Sequence, residues 1–171
     1  MNIKLEWFEF HGAAQVGLQR WAQSEARGMN HASTYSRDYL RRLVEEVVGA
    51  CGERCVCKSC NIYWDGSVNT FHAIADIMGA GVEIRTTDLD DGRMIIRDND
   101  DGARIFILVT GKGPEFKIRG WLYGSECKKP AWESNPNGYR PAWFVPQCAL
   151  RSFSIIRERV VAGSLRRLEN A

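Results

Sequence analysis

The feature that most constrains the fold is a long run of apolar residues with helical spacing that begins near Arg37. These side chains recur every three or four residues, which places them on one face of an α-helix. They are Leu40, Leu43, Val44, Val47, Val48, Cys51 and Cys55. Ser36 is a suitable N-cap, and the pattern predicts a helix that ends near Asn61. Such a helix requires a second layer of structure to cover its apolar face.

Short β-type runs follow this helix and predict an α/β (α+β) fold with a central sheet. The runs lie at residues 68–72, 82–87, 93–97, 104–109 and 116–123. Asp-Gly pairs and a Gly-Lys-Gly-Pro segment separate several of them, which is typical of hairpins. We therefore predict an antiparallel meander from 82 to 123, followed by a short buried strand at 143–145.

Both ends of the chain are expected to belong to a single domain of 171 residues. A strand at 3–10 and a helix at 13–27 form an N-terminal extension of about 1–36. The core covers about 37–150, and an amphipathic helix closes the chain at about 152–169. No apolar run reaches the roughly 20 residues of a membrane span. The charged N-terminus is not typical of a signal peptide, so we expect a cytoplasmic protein with reduced thiols.

Three residues in the run Asp76-Ile-Met-Gly-Ala-Gly-Val-Glu83-Ile-Arg85 have the chemistry of a metal site. Side chains alternate between the faces of a strand, so Glu83 and Arg85 project to the same side. If Asp76 enters beside that strand, two carboxylates and one cation converge. Carboxylates bind hard divalent cations, which can activate a phosphodiester for hydrolysis. The alternative interpretation of the Glu-x-Arg pair is a solvated strand face.

Four cysteines fall within ten residues, at Cys51, Cys55, Cys57 and Cys60, and invite a zinc or iron–sulfur interpretation. At about 100° per residue, the first two lie in the apolar stripe and the last two nearly opposite. One ion cannot collect ligands from opposite sides of an intact helix, so we expect core thiols and no bound zinc. A zinc- or cluster-stabilised binding module is the alternative, and it requires the helix to break near Gly52.

The ordered set of a helix bearing Glu53, then Asp76, then a strand with Glu83-x-Arg85 resembles the PD-(D/E)XK nuclease superfamily, the restriction-endonuclease-like fold. There a helix supplies a glutamate, one strand contributes an aspartate, and the next strand carries Glu-x-Lys. The chain also looks like a group of uncharacterised bacterial and phage proteins with that pattern. The matching segments cover most of 37–150. They are 49–53, 63–71, Asp76, 82–87, 107–111, 120–121 and 144–147.

The resemblance implies a mixed central sheet flanked by helices and a divalent-metal-dependent nuclease that hydrolyses DNA. Its catalytic residues would be Glu53, Asp76, Glu83 and Arg85. Asp76 and Glu83 would bind Mg²⁺ or Mn²⁺, and Glu53 would complete the acidic cluster. Arg85 stands where the superfamily has lysine. Because an arginine stays protonated, it can stabilise negative charge but cannot act as a general base.

DNA is the partner that the resemblance implies, and small nucleases of this fold often form homodimers to cut both strands. If the chain is phage-encoded, its location would be the host cytoplasm. The alternative is a catalytically degenerate nuclease-fold protein that binds nucleic acid or a protein partner of a host defence system. The arginine at position 85, the formal net charge of +2 and the short chain motivate that alternative.

Overall fold

The computed structural model describes residues 1–27, 39–68, 75–77, 80–135 and 141–169. Its α-helices are α1 (Trp7–Ala26), α2 (Tyr39–Cys60), α3 (Gly124–Cys127) and α4 (Arg157–Glu169). Its strands are β1 (Asn2–Lys4), β2 (Val82–Thr87), β3 (Met94–Arg97), β4 (Ile105–Lys112), β5 (Glu115–Tyr123), β6 (Glu133–Ser134) and β7 (Ala142–Val145). The expected N-cap Ser36 and most of the strand expected at 68–72 lie outside the described residues.

The main sheet is mixed, with the strand order β1-β5-β4-β2. Strands β4 and β5 form the antiparallel hairpin that the Gly-Lys-Gly-Pro segment predicts. Strand β2, however, runs parallel to β4, so the prediction of a continuous antiparallel meander from 82 to 123 is wrong. Parallel neighbours need a crossover connection. Residues 88–104 provide it, and they carry β3 out of the main sheet.

Strand β3 belongs to a second, three-stranded sheet with the order β3-β7-β6. Met94 and Ile96 of β3 are fully buried and pack with Phe106 and Leu108 of β4 in a cluster between the two sheets. The apolar residues of β3 are therefore covered by the face of the main sheet, and β3 does not pair with β2. The fold is a mixed α+β arrangement in which α2 lies on the other face of the main sheet.

The strand predicted at 3–10 is wrong beyond its first residues, because β1 ends at Lys4 and residues 7–10 begin α1. The amide of Glu6 donates a 2.8 Å hydrogen bond to the Glu9 carboxylate at the start of this helix. This pairing stabilises a helix start and outweighs the alternation of polar and apolar residues. Strand β1 pairs with β5, and Leu5 is buried in the main core. The N-terminal segment is therefore built into the main sheet and its core.

Helix α2 packs directly on β2. At Gly52, an added β-carbon would lie 1.9 Å from Oγ1 of Thr86, so only glycine allows this approach. Val82 and Ile84 of the same strand are buried beneath the helix in the main core. The contact between Gly52 and Thr86 fixes the position of the next residue, Glu53, relative to β2, the strand that carries Glu83.

Helix α1 packs as closely on α2 at Gly17, where an added β-carbon would lie 2.5 Å from Cα of Val47. Gly17→Ala should force the helices apart and lower the free energy of unfolding by about 1–3 kcal/mol. Gly12→Ala is the matched control, because nothing lies within 4 Å of its added β-carbon. In a helix interior that control change should stabilise by roughly 0.5–1 kcal/mol. Urea denaturation measures both variants, and effects of the same sign would contradict the close helix contact.

The C-terminal helix predicted at 152–169 begins later than expected, because a 3₁₀ turn at Phe153–Ile155 precedes α4. Ile156 and Val160 bury this end of the chain in the main core. After β5, the short helix α3 is followed by a 3₁₀ turn at Pro130–Trp132. None of the helices in the described ranges has the length and apolarity needed to cross a membrane.

Candidate metal centre

Strand β2 directs Val82 and Ile84 into the main core, where both are buried. Glu83 and Arg85 project from its opposite face and remain partly exposed. This alternation follows the pleat of the strand. It places a carboxylate and a guanidinium side by side at the edge of the main sheet.

Asp76 lies against the beginning of β2. Its neighbour Ile77 forms an isolated antiparallel bridge with Val82. The backbone amide of Ile84 donates a 2.6 Å hydrogen bond to Oδ2 of Asp76. The carboxylate of Asp76 is therefore held beside the strand that carries Glu83.

The Asp76 carboxyl is the most perturbed acid of this region. Burial, followed by the negative charges of Glu53 and Glu83, raises the pKa of Asp76 to about 8. The hydrogen bond from Ile84 and the charge of Arg85 lower the pKa and offset only part of that effect. Nearby negative charge disfavours the ionised form of a carboxyl group. Asp76 is therefore the acid of the cluster that lacks a sufficient cation.

Glu53 belongs to the same cluster, but its oxygens are already engaged. Arg20 donates hydrogen bonds of 2.5 and 2.8 Å to the two carboxylate oxygens, and the Trp64 indole donates a third of 3.2 Å. Only 6% of Glu53 is exposed. The structure therefore gives Glu53 an electrostatic influence on Asp76, while most of its lone pairs are occupied by protein donors.

Arg20 is a residue of this site that the sequence pattern did not single out. Its Nε also donates a 2.8 Å hydrogen bond to the carbonyl of Ser67. Although burial opposes it, the hydrogen bonds and charge of Glu53, with a contribution from Asp76, raise the pKa of Arg20. The available signal was its spacing from Ala13 and Gly17, the small residues on the face of α1 that meets α2.

Glu83 and Arg85 also have protein partners. Glu83 forms an ion pair with Arg104, and Nη1 of Arg85 lies 3.8 Å from its second oxygen. Arg85 donates a 2.8 Å hydrogen bond to Asp100, and its guanidinium lies 5.2 Å from the ring centroid of Phe106. Arg85 is therefore held between two carboxylates and over an aromatic face, which orients its guanidinium group.

The four clustered cysteines, Cys51, Cys55, Cys57 and Cys60, are all buried free thiols in the main core. Burial, followed by the charge of Glu53, raises the pKa of Cys51 and of Cys57 to about 12. Helix α2 continues without a break through position 52 to Cys60. The break that the zinc- or cluster-module interpretation requires is therefore not present in α2, and all four thiols lie in the main core.

The donor set fits a hard divalent cation through two residues. Asp76 and Glu83 supply carboxylate oxygens, and Mg²⁺ is commonly held by one or two carboxylates together with water and substrate phosphates. Within the described ranges, no three His, Cys, Asp or Glu side chains form a ready group of ligands. Glu53 is the third acid of the cluster, but it is bound to Arg20. Glu83 is likewise paired with Arg104, so an ion held by Asp76 and Glu83 would share the Glu83 carboxylate with that arginine.

Comparison of the chain with models of known protein families, with curated proteins and with solved structures finds no match in any of the three. The relation to the PD-(D/E)XK superfamily therefore stays a prediction based on the order of Glu53, Asp76, Glu83 and Arg85.

Proposed function

We propose that this protein is a divalent-metal-dependent nuclease that hydrolyses phosphodiester bonds in DNA. The observation that carries the proposal is the Asp76 carboxyl, whose pKa rises to about 8 because of burial and the charges of Glu53 and Glu83. Mg²⁺ or Mn²⁺ bound between Asp76 and Glu83 would supply the missing positive charge. Sites with such perturbed acids are often functional.

Each residue of the cluster has a distinct part in this proposal. Asp76 and Glu83 would hold the ion, which would supply the positive charge that activates a water for attack and neutralises charge on the phosphate. Arg85 remains protonated and lies beside Glu83, so it binds non-bridging phosphate oxygens and stabilises their negative charge. Glu53 and Arg20 form a buried pair that fixes α1 and α2 around Asp76.

The test combines metal binding with cleavage. Wild type, Asp76→Asn, Glu83→Gln and the surface control Asp98→Asn are titrated with Mn²⁺ by calorimetry and incubated with plasmid and single-stranded DNA. The two cluster variants should lose at least about tenfold in metal affinity and in cleavage rate, whereas the control should match wild type. Equal cleavage by all four proteins would identify a contaminating nuclease and overturn the proposal.

A second candidate function follows from the ion pairs around the cluster. Glu53 is paired with Arg20, Glu83 with Arg104 and Arg85 with Asp100, so three members already have protein partners. A catalytically degenerate protein on this scaffold would bind nucleic acid, or a protein of a host defence system, without metal. No Mn²⁺ binding by calorimetry, together with capture of one specific partner in a pull-down, would favour this second function.

A cytoplasmic location is part of the main proposal. All six cysteines are free thiols, which agrees with a reducing compartment. Five of them are buried, and Cys148 is exposed. A homodimer is also proposed. Sedimentation of the protein with and without duplex DNA measures that assembly.

A further inference from the structure

A cleft of about 730 Å³ lies next to the proposed metal centre, between the first half of α2 and the second sheet. Arg85 lines it and therefore belongs to both sites. The end of β2 and the turn after it form the floor, and Ile95 of β3 and Phe144 of β7 form one wall. The cleft falls within the roughly 300–1,000 Å³ range of pockets that enclose small ligands.

Arginines give the cleft its capacity to bind anions. Besides Arg85, it is lined by Arg41, Arg93 and Arg97. The acids Glu45 and Asp88 also line it, but both are bound by Arg41. Asp91 is the remaining acid among the described lining residues. The backbone amide of Arg97 donates a 2.8 Å hydrogen bond to Asp100. Within the described part of the chain, no acidic side chain pairs with the guanidinium group of Arg93 or Arg97, so these two groups are available to phosphate oxygens.

The cleft is also lined by apolar and aromatic side chains. Ile95 and Phe144 are directly opposite each other in the antiparallel pair of β3 and β7, so their side chains share one face. Val44 and Leu89, which also line the cleft, are exposed. An aromatic ring beside aliphatic groups provides a surface on which a planar base can stack. A ligand that combines an anion with a flat ring therefore suits the cleft.

We propose that this cleft binds an unpaired segment of single-stranded DNA, with phosphates on Arg93 and Arg97 and a base against Phe144. Cationic side chains that follow the backbone and an aromatic side chain that stacks a base are the common means of binding single strands. A base inside a duplex is stacked and paired, so it cannot reach such a surface without being extruded. This inference rests on the proposed nuclease function and assigns its substrate as single-stranded.

Binding is measured by fluorescence anisotropy in EDTA, where metal-dependent cleavage cannot occur. The probe is a fluorescein-labelled oligo-dT of roughly ten nucleotides, and the competitor is a duplex of equal length. Wild type should prefer the single strand by at least about tenfold. A duplex that binds equally well or better would overturn the proposal.

The variants remove the two kinds of contact separately. The double variant Arg93→Ala, Arg97→Ala should reduce the slope of log affinity against log salt by about 1.4, or 0.7 for each lost phosphate contact. Phe144→Leu should weaken binding about fivefold or more through lost stacking. The matched control Lys112→Ala, Lys117→Ala removes two charges from exposed sites outside the cleft. If the arginine variant behaves like this control, the cleft does not bind the strand.

The failure of this inference and that of the nuclease proposal are distinguishable. Single-strand binding in EDTA that depends on Arg93 and Arg97, without cleavage when Mn²⁺ is added, would overturn the nuclease and support the cleft. Cleavage that requires Asp76 but is unaffected by the arginine and Phe144 variants would support the nuclease and overturn the binding of single-stranded DNA in the cleft. Circular dichroism and thermal melting confirm that each variant is folded, and the single variant Arg93→Gln repeats the test if the double variant unfolds.

Discussion

Replacing Arg20 by methionine is expected to lower the free energy of unfolding by about 3–5 kcal/mol, because it leaves the Glu53 carboxylate buried without its cation. Arg20 holds both oxygens of Glu53 at 2.5 and 2.8 Å, and only 6% of Glu53 is exposed. In a chain of this size, each kcal/mol lowers the melting temperature by roughly 2–4 °C. Urea and thermal denaturation should therefore both detect the change clearly.

The matched control is Arg41→Met. Arg41 also bridges two acids, Glu45 and Asp88, but its side chain is 44% exposed. Exposed ion pairs contribute about 0–1 kcal/mol, so this control should change stability little. A similar loss of stability in Arg20→Met and Arg41→Met would show that the burial of the Arg20–Glu53 pair does not determine its contribution to the free energy of unfolding.

A double variant separates the ion pair from simple loss of packing. Arg20→Met combined with Glu53→Gln removes the buried charge as well as its partner, so it should be more stable than Arg20→Met alone. Additive losses in the double variant would contradict the pairing. The cycle therefore measures whether Glu53 is a structural partner of Arg20, which is the role that distinguishes it from Asp76.

The helices and strands with strong local patterns could be predicted from the sequence. Helix α2 was recognised from its apolar spacing, β2 from its β-type run, and the β4–β5 hairpin from the intervening turn. The parallel pairing of β2 with β4 could not be predicted, because residues 82–87 show the same alternation of buried and exposed side chains whichever strand they pair with. The sequence pattern predicts that β3 belongs to the same meander as β2 and β4. Its apolar residues instead pack on the face of the main sheet that carries Phe106 and Leu108.

The same limit applies to the candidate site. The common face of Glu83 and Arg85 is a property of one strand and follows from its period. The pairing of Arg20 with Glu53 joins positions 33 residues apart, so no local pattern contains it. The sequence pattern predicts an N-terminal extension at about 1–36. In the structure, α1 of this segment supplies Arg20, the cation beside the acidic cluster. Long-range partners of this kind decide which acids remain available to a metal.

Asp76→Asn should raise stability in metal-free buffer, and the gain should increase with pH. The raised pKa means that folded Asp76 remains protonated up to about pH 8, while in the unfolded chain it ionises near its usual value of 3.8. Between those values the unfolded state binds fewer protons, so wild-type stability falls as pH rises. Asparagine has no such titration, and its side-chain oxygen can still accept the Ile84 amide.

The difference in melting temperature between Asp76→Asn and wild type should be small near pH 4, grow through pH 8 and then level off. One pKa unit corresponds to about 1.4 kcal/mol, so we expect a gain of at least about 2 kcal/mol at pH 8.5. Asp98→Asn, at an exposed position, is the control and should show no such trend. A difference between Asp76→Asn and wild type that is independent of pH would contradict the repulsion among Asp76, Glu53 and Glu83.

Adding Mn²⁺ connects this stability measurement to the proposed function. An ion bound at Asp76 and Glu83 supplies the charge that Asp76 lacks, so wild type should gain stability while Asp76→Asn should not. At 100 times the dissociation constant, that gain is about 2.7 kcal/mol. It should be larger at pH 8 than at pH 6, because at the lower pH the ion must displace a proton from Asp76. Equal stabilisation of both proteins by Mn²⁺ would place the ion elsewhere.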